Sequence, residues 1–390
     1  MELKKIHISD IGKIITGKTP RTSVAENYDG DIPFLTPSDD LSHKSAPRTT
    51  KTLTEKGLNE VRNCLLPPRS ICVSCIGSDL GKVVMTIEPT VTNQQFNSII
   101  PNKNFNADFV YYLMTLVGRE LNYLSKTSTA VPIINKSSFS NYEVEVPDLE
   151  TQEKIASILS SLDSKIELNR RINDNLEQQA QALFKAWFVD FEPWQGVMPD
   201  DWREGSIYEI VDVIYGAPYK SNLFNEKKEG LPLIRIRDLK DYSPQYYTPE
   251  ILPNTEFVCM GDVIAGMDAE FIPTLWMGNK GVLNQRCCKF KSKNPKFSNY
   301  YIMYLLKPEL EFVQSYKTGT TVSHLGKSDI DRFIVVIPSS DVIEDFSRKV
   351  EPLLSEKIKI CKEMRILSSL RDTLLPKLMS GELKINDLNR

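Results

Sequence analysis

Two stretches of the chain place apolar residues at alternating steps of four and three, the spacing of a helix that packs lengthwise against another helix. In the first, Ile155, Leu159, Leu162, Ile166, Asn169, Asn173, Leu176, Ala180, Leu183 and Trp187 form one seam. In the second, Phe346, Val350, Leu353, Ile360, Met364, Leu367, Leu374 and Leu378 do the same, with Lys357 and Arg371 breaking the apolar line. Two asparagines in a seam cost stability but fix register and partner. With Thr151 as its N-cap, the first pattern predicts a helix over 151–187, roughly 55 Å long at about 1.5 Å per residue. In the simplest arrangement each helix is the other's partner.

Ahead of each long helix the pattern is different. Short β-branched and aromatic runs, punctuated by Pro, Gly and Asn, predict strands and turns. A short helix follows, over 108–123 in one half and 298–316 in the other, then a polar loop, then a strand ending at Pro147 or Pro338. The two halves also match residue by residue. Gly17 and Ile32-Pro33-Phe34-Leu35 correspond to Gly216 and Leu231-Pro232-Leu233-Ile234 at an offset of 199. Asn93-Gln94-Gln95, Lys126-Thr127-Ser128-Thr129 and Val144-Glu145-Val146-Pro147 correspond to Asn284-Gln285-Arg286, Lys317-Thr318-Gly319-Thr320 and Val335-Val336-Ile337-Pro338 at an offset of 191. Several matched blocks in one order mark an internal duplication. The expected plan is a module over 1–147, a helix over 148–192, a second module over 193–338, and a helix with tail over 339–390. The expected fold class is α/β: two repeated mixed α/β modules separated by two long antiparallel helices, a coiled-coil-like spacer with pseudo-two-fold symmetry.

Composition changes this picture little. Hydrophobic residues at 41% and charged residues at 25% are those of a globular protein. No apolar run approaches the length that spans a bilayer, and no apolar leader follows Met1, so a cytoplasmic location is expected. Among seven cysteines only Cys72 and Cys75 form a CxxC, with no second pair to complete a zinc set. In the apolar run Ser70–Ile76 they fall on opposite faces of a strand and read as buried thiols. Chemistry is hard to find elsewhere. Gly77–Lys82 is one residue short of a phosphate-binding loop and reads as a turn. The aromatic Pro-Pro motif of adenine methyltransferases is missing, and His7, His43 and His324 have no nucleophile partner near in sequence.

The formal charge of −3 requires any nucleic-acid contact to be local. Arg286, Lys289, Lys291, Lys293 and Lys296 occur with no acid between them; Lys44, Arg48, Lys51, Lys56, Arg62 and Arg69 occur against Glu55 and Glu60. A solvated loop is the equal alternative for either run. Two similar readers on one face of a duplex would contact half-sites about one helical turn, roughly 34 Å, apart.

Taken together these residues resemble the specificity subunits of type I restriction–modification systems, over nearly the whole chain. The segments that carry the resemblance are Ala182–Pro193 after the first long helix, Leu370–Leu383 at the end, and Val146-Pro147 followed by Gln152-Glu153-Lys154-Ile155-Ala156. The second repeat departs there, with Glu344-Asp345-Phe346-Ser347 in place of the last run. The resemblance implies two target recognition domains reading a split, asymmetric DNA site. It implies that the paired helices set the spacing and dock two modification subunits, through Ile155, Leu162, Ile166, Leu176, Leu183, Trp187, Leu353, Ile360, Met364, Leu367 and Leu374. Restriction subunits complete the assembly. S-adenosylmethionine, ATP and metal belong to those partners, so no cofactor and no catalytic residue is expected here. A stand-alone methyltransferase or nuclease with a degenerate site, and a scaffold that binds only proteins, are the competing readings.

On this reading cations contact phosphates while forked or amide side chains read bases. The candidates are Lys18, Arg21, Thr36, Ser38, Lys44, Arg48, Lys82, Lys126, Thr127 and Thr129 in the first repeat. In the second they are Lys220, Arg235, Arg237, Arg286, Lys289, Lys317, Thr318, Thr320, His324 and Lys327. Arg235 and Arg237, two apart after the run 231–236, are expected to point the same way on a strand, with a salt-bridging surface pair as the equal alternative. Gln94, Gln95 and Gln285 are further candidates. Asn93 and Asn284 match each other and are better explained by a shared turn.

Overall fold

A computed structural model describes residues 2–46, 48–77, 80–126, 133–317 and 323–384, with the side chains of Ser125 and Lys126 outside that description. The chain divides into two units: Met1–Glu167 with Ile366–Arg390, and Leu168–Arg365.

In the first unit, Lys4–His7 pairs antiparallel with Glu143–Val146, so the start of the chain is closed by the strand that precedes the long helix. A four-stranded antiparallel sheet has the order Gly12–Thr16, Phe96–Pro101, Ile71–Ser74, Val83–Met85. A second sheet places Tyr28–Leu35 between Thr52–Leu53, antiparallel, and Val91–Thr92, parallel. The helix Ala107–Lys126 buries Phe109, Val110, Tyr112 and Met114 against the first sheet. Cys72 and Cys75 enter two different cores, as alternation along an extended segment requires, and burial pushes the Cys72 thiol up to about 12.

The second unit repeats this plan with one strand more. Arg203–Ser206 pairs with Ile334–Ile337. Its antiparallel sheet runs Val211–Tyr215, Cys287–Ser292, Val263–Gly266, Thr274–Leu275. The other sheet runs Tyr247–Thr248, Leu231–Ile234, Gly281–Leu283, with Phe257–Val258 added at its edge. The helix is Asn299–Lys317.

Matched residues explain why the duplication persists. Gln95 N donates to Asn93 Oδ1 at 3.0 Å, and Arg286 N to Asn284 Oδ1 at 3.1 Å, so both asparagines hold the same turn. Thr36 N and Arg235 N donate to the buried carboxylates of Asp39 and Asp238 at 2.8 and 2.9 Å. A side chain at Gly17 would meet Asn93 O at 2.2 Å, and one at Gly216 would meet Asn284 O at 2.1 Å, so only glycine fits either crossing.

The long helices are Leu149–Phe188 and Ser340–Ser380. Thr151 is not the cap of the first. Asp148 takes that role, accepting from Thr151 N at 2.9 Å and Thr151 Oγ1 at 3.0 Å, which moves the start two residues earlier. Within each unit the two helix segments run antiparallel. In the second unit Asn169 donates to Glu363 at 2.9 Å, Asn173 meets Cys361 Sγ at 3.3 Å, and Lys357 pairs with Glu177. In the first, Ile155 and Leu159 share a core with Leu375 and Leu378. Lys357 and Arg371 therefore do not interrupt the seam as solvated charges; each meets a carboxylate across it. Ile155 and Ile360 are buried, whereas Leu162, Ile166, Leu176, Leu183, Trp187, Leu353, Met364, Leu367 and Leu374 are half-buried. Phe184, Leu354, Leu375 and Met379, off the seam, are buried too, because each segment also packs on its own module and needs a wider apolar face. No helix among the described residues is long and apolar enough to cross a membrane.

Candidate nucleic-acid interface

The matched turns bring three segments together in each unit. In the first, Cys75 N donates to Gln95 O at 2.8 Å and Ile134 N donates to Cys75 O at 3.0 Å. The turn Asn93–Gln95, the end of the strand at Ile71–Ser74, and the residues after the polar loop thus meet at Cys75. Thr19 Oγ1 donates to the exposed Gln94 at 2.6 Å, which adds the segment after Gly17. Lys18 and Lys136 both lie close enough to Cys64 to oppose the upward push of burial on its thiol. Lys136 opens the short helix Lys136–Ser140, capped by Asn135, which accepts from Ser138 N at 2.9 Å.

The second unit builds the same junction at Met267, whose N donates to Arg286 O at 2.8 Å and whose O accepts from Leu325 N at 2.7 Å. Its side chains are different. Asp268 forms an ion pair with Arg286 Nη1 at 3.2 Å through one oxygen and meets His324 Nδ1 at 2.7 Å with the other. Nearby, Ile236 packs against Gly266, and the Arg235 guanidinium lies 4.3 Å from the Tyr246 ring centroid. Lys327 opens the short helix Lys327–Ile330, as Lys136 does in the other repeat.

Several predicted contacts are already occupied. Lys44 is largely buried, bound to Asp108 at 2.7 Å and Ser160 at 2.8 Å, and packed on Tyr112, so it anchors the fold instead of offering a free cation. Lys289 is likewise buried between Glu256 at 2.8 Å and Asp262 at 2.9 Å, which raise its pKa against desolvation. Arg21 forms a two-pronged pair with Glu60, at 3.0 and 2.8 Å, that holds the glutamate down to about 2. Lys317 meets Asp329 at 2.5 Å. The basic run after Arg286 is partly neutralised, since Lys293 pairs with Asp212 at 3.6 Å and Lys296 with Glu344 at 3.1 Å. Arg235 and Arg237 do not share a strand face. The strand ends at Ile234; Arg235 precedes a 3-10 turn, Ile236–Leu239, and is half-buried, while Arg237 is exposed on that turn. Thr36 bonds Ser38 and Asp39 in its own turn.

Lys18, Arg48, Lys82, Lys220, Arg237 and Lys327 are exposed and have no carboxylate partner among the described residues. The side chain of Lys126, and Thr127, Thr129, Thr318 and Thr320, lie outside the described residues. Among those described, no group of three or more His, Cys, Asp or Glu side chains is arranged to hold a metal ion.

The sequence pattern of the type I restriction modification DNA specificity domain matches residues 1–178 and 199–362, one match to each repeat. The chain belongs to this family. The type I restriction enzyme MjaIX specificity subunit of Methanocaldococcus jannaschii is 30% identical over 99% of this chain and 94% of its own length. The HindI specificity subunit of Haemophilus influenzae is 37% identical over 43% of this chain and 38% of its own. In fold, the crystal structure of the type I restriction–modification S subunit from M. genitalium is similar, with a TM-score of 0.52 at 17% identity over 97% of this chain and 96% of that one.

Within this specificity-family chain three residues at the junctions escaped the sequence reading. Asp268 and Tyr246 carry no local signal, because their roles depend on segments distant in sequence. Lys136 did carry one: it matches Lys327 at the offset of 191 that aligns the repeats.

Proposed function

We propose that the chain is the DNA-reading subunit of a type I restriction–modification complex, with one target recognition domain in residues 1–147 and another in 193–338. Residues 148–192 and 339–390 supply the long helices that space these domains and dock two modification subunits, to which restriction subunits are added. Adenine methylation and cleavage are then the work of those partners, in the cytoplasm, and this chain contributes no catalytic group or cofactor. The observation that carries the reading is a duplicated backbone junction with unlike side chains: Ile76, Gln95 and Ile133 in one repeat stand where Asp268, Arg286 and His324 stand in the other. Family membership supports the partners. Two readers on the same frame but with different chemistry suit a split site whose halves differ.

Co-expression with the cognate modification subunit, followed by mapping of methylated adenines, tests the proposal. One split motif that vanishes without this chain is expected; a methylation pattern that ignores it sinks the reading. Exchanging residues 1–147 for another such module is expected to change only one half of the motif. A change in both halves contradicts independent readers.

A further inference from the structure

We infer that Arg286 and His324, held side by side by Asp268, form the base-reading head of the second unit and require a guanine in its half-site. The inference rests on the DNA-reading proposal and adds which groups read and what they select. Asp268 follows the strand Val263–Gly266 and is mostly shielded, with each carboxylate oxygen spent on a different partner. A carboxylate only accepts, so His324 Nδ1 carries the proton. In the neutral ring this fixes the tautomer, with Nε2 of the half-exposed imidazole as an acceptor. Arg286 keeps more than half of its side chain exposed and spends only Nη1 on Asp268, so the rest of its fork is available. A fork of this kind matches guanine O6 and N7, and an imidazole acceptor beside it matches the amino group of the paired cytosine or of a neighbouring base.

Asp268 is thus a positioning residue. A long arginine side chain loses rotamer freedom when it binds, and the carboxylate has already restricted it. The backbone beneath is the shared junction, and the matched bridge in the first unit joins Ile76 to Ile133, with no carboxylate, cation or imidazole among Ile76, Gln95 and Ile133. What differs between the repeats at this junction is therefore chemistry and not frame.

The test uses the full chain co-expressed with its modification subunit, with methylated adenines mapped genome-wide. The wild-type half-motif that changes when residues 193–338 are exchanged should contain a guanine. Arg286→Ala, and Arg286→Lys as a charge-keeping variant, should relax that one position, cutting discrimination there roughly 5- to 150-fold, while the other half of the motif stays as it was. Asp268→Asn should relax the same position, and a thermal melt of each variant separates this effect from loss of fold. A motif unchanged in Arg286→Lys and Asp268→Asn overturns the inference. So does an equal loss of methylation at every site with unchanged base preference, which marks a phosphate contact. Absence of any split motif with the wild-type chain overturns the DNA-reading proposal itself and is seen before any variant is made.

Discussion

Replacing Arg371 by alanine is expected to destabilise the first unit by about 3 kcal/mol, and adding Asp163→Leu is expected to return most of that loss. Asp163 is nine-tenths buried; it accepts Arg371 Nη1 at 2.8 Å and the Tyr112 hydroxyl at 2.5 Å. Breaking a buried pair by removing one partner typically costs about 3–5 kcal/mol, because the remaining charge is left uncompensated in a poor dielectric. The lower end applies here, since Arg371 is about a quarter exposed and Tyr112 still donates to the carboxylate. The offset of 191 shows how the other unit fills the same place. Asp163, Arg371 and Tyr112 correspond to Leu354, Ala180 and Met303, three buried residues of one apolar core. Well-packed apolar groups in place of a buried ion pair are neutral to stabilising. The double substitution, Asp163→Leu with Arg371→Ala, reproduces that arrangement; the Tyr112 hydroxyl loses its acceptor, at about 1 kcal/mol, and the exposed Asp372, which Arg371 also bonds at 3.0 Å, keeps Arg119. Tyr112→Phe in the same background should remove the residue of the penalty.

The assay exploits tryptophan placement. Trp187, Trp194, Trp202 and Trp276 all lie in the second unit, so tryptophan emission follows that unit while far-ultraviolet circular dichroism follows both. A loss of about 3 kcal/mol in a unit of this size lowers its midpoint by roughly 6–12 °C. The dichroism transition should therefore broaden or split toward lower temperature in Arg371→Ala, with the emission transition behind it, and the two should converge again in the double variant. A shift of less than about 1 kcal/mol in Arg371→Ala, or a double variant no more stable than the single one, refutes the account of this pair.

Three further outcomes are expected. Glu60 titrates near 2 when folded because Arg21 bonds it, against a usual value near 4.5, so its contribution is present above about pH 4.5 and fades as pH falls through about 2. The stability gap between wild type and Glu60→Gln should close over that window, and a gap independent of pH contradicts the pairing. Gly17→Ala and Gly216→Ala each force a methyl group against a backbone oxygen and should cost about 1–3 kcal/mol, each in its own unit, as read by the two spectroscopic signals. Lys136→Gln and Lys327→Gln should each lower the slope of log K against log salt for DNA binding by about 0.9 without altering the motif; an altered motif would make these lysines base readers.

Both long helices, the duplication and the buried thiols were legible in the sequence because each rests on periodicity or repetition, which neighbouring residues carry themselves. The two short helices appeared within a few residues of their expected ends for the same reason. The candidate site was less legible. Lys44 and Lys289 look like Lys18 in sequence, and what separates them is a carboxylate supplied from elsewhere: Asp108 for Lys44, Glu256 and Asp262 for Lys289. The run through Ile236 predicts one face for Arg235 and Arg237, yet the Asp238 carboxylate binds Arg235 N and turns the backbone at that point. Asp39 caps the matched turn, so comparing the acids at the offset of 199, and not only the apolar residues, would have revealed it.

The pairing of so many cations bears on how the chain meets DNA. Arg21, Lys44, Lys289 and Lys317 are neutralised locally in a chain of net charge −3, so phosphate contacts fall to other cations. Lys18, Arg48, Lys82 and Lys136 in the first unit, and Lys220, Arg237 and Lys327 in the second, are exposed without a carboxylate partner among the described residues. Each of these that meets a phosphate makes affinity more salt-sensitive, since counterion release scales with the number of phosphates neutralised. Backbone attraction does not select a site. Binding energy that ignores sequence raises affinity for wrong and right sites equally, whereas contacts such as those of Arg286 count only where the base fits.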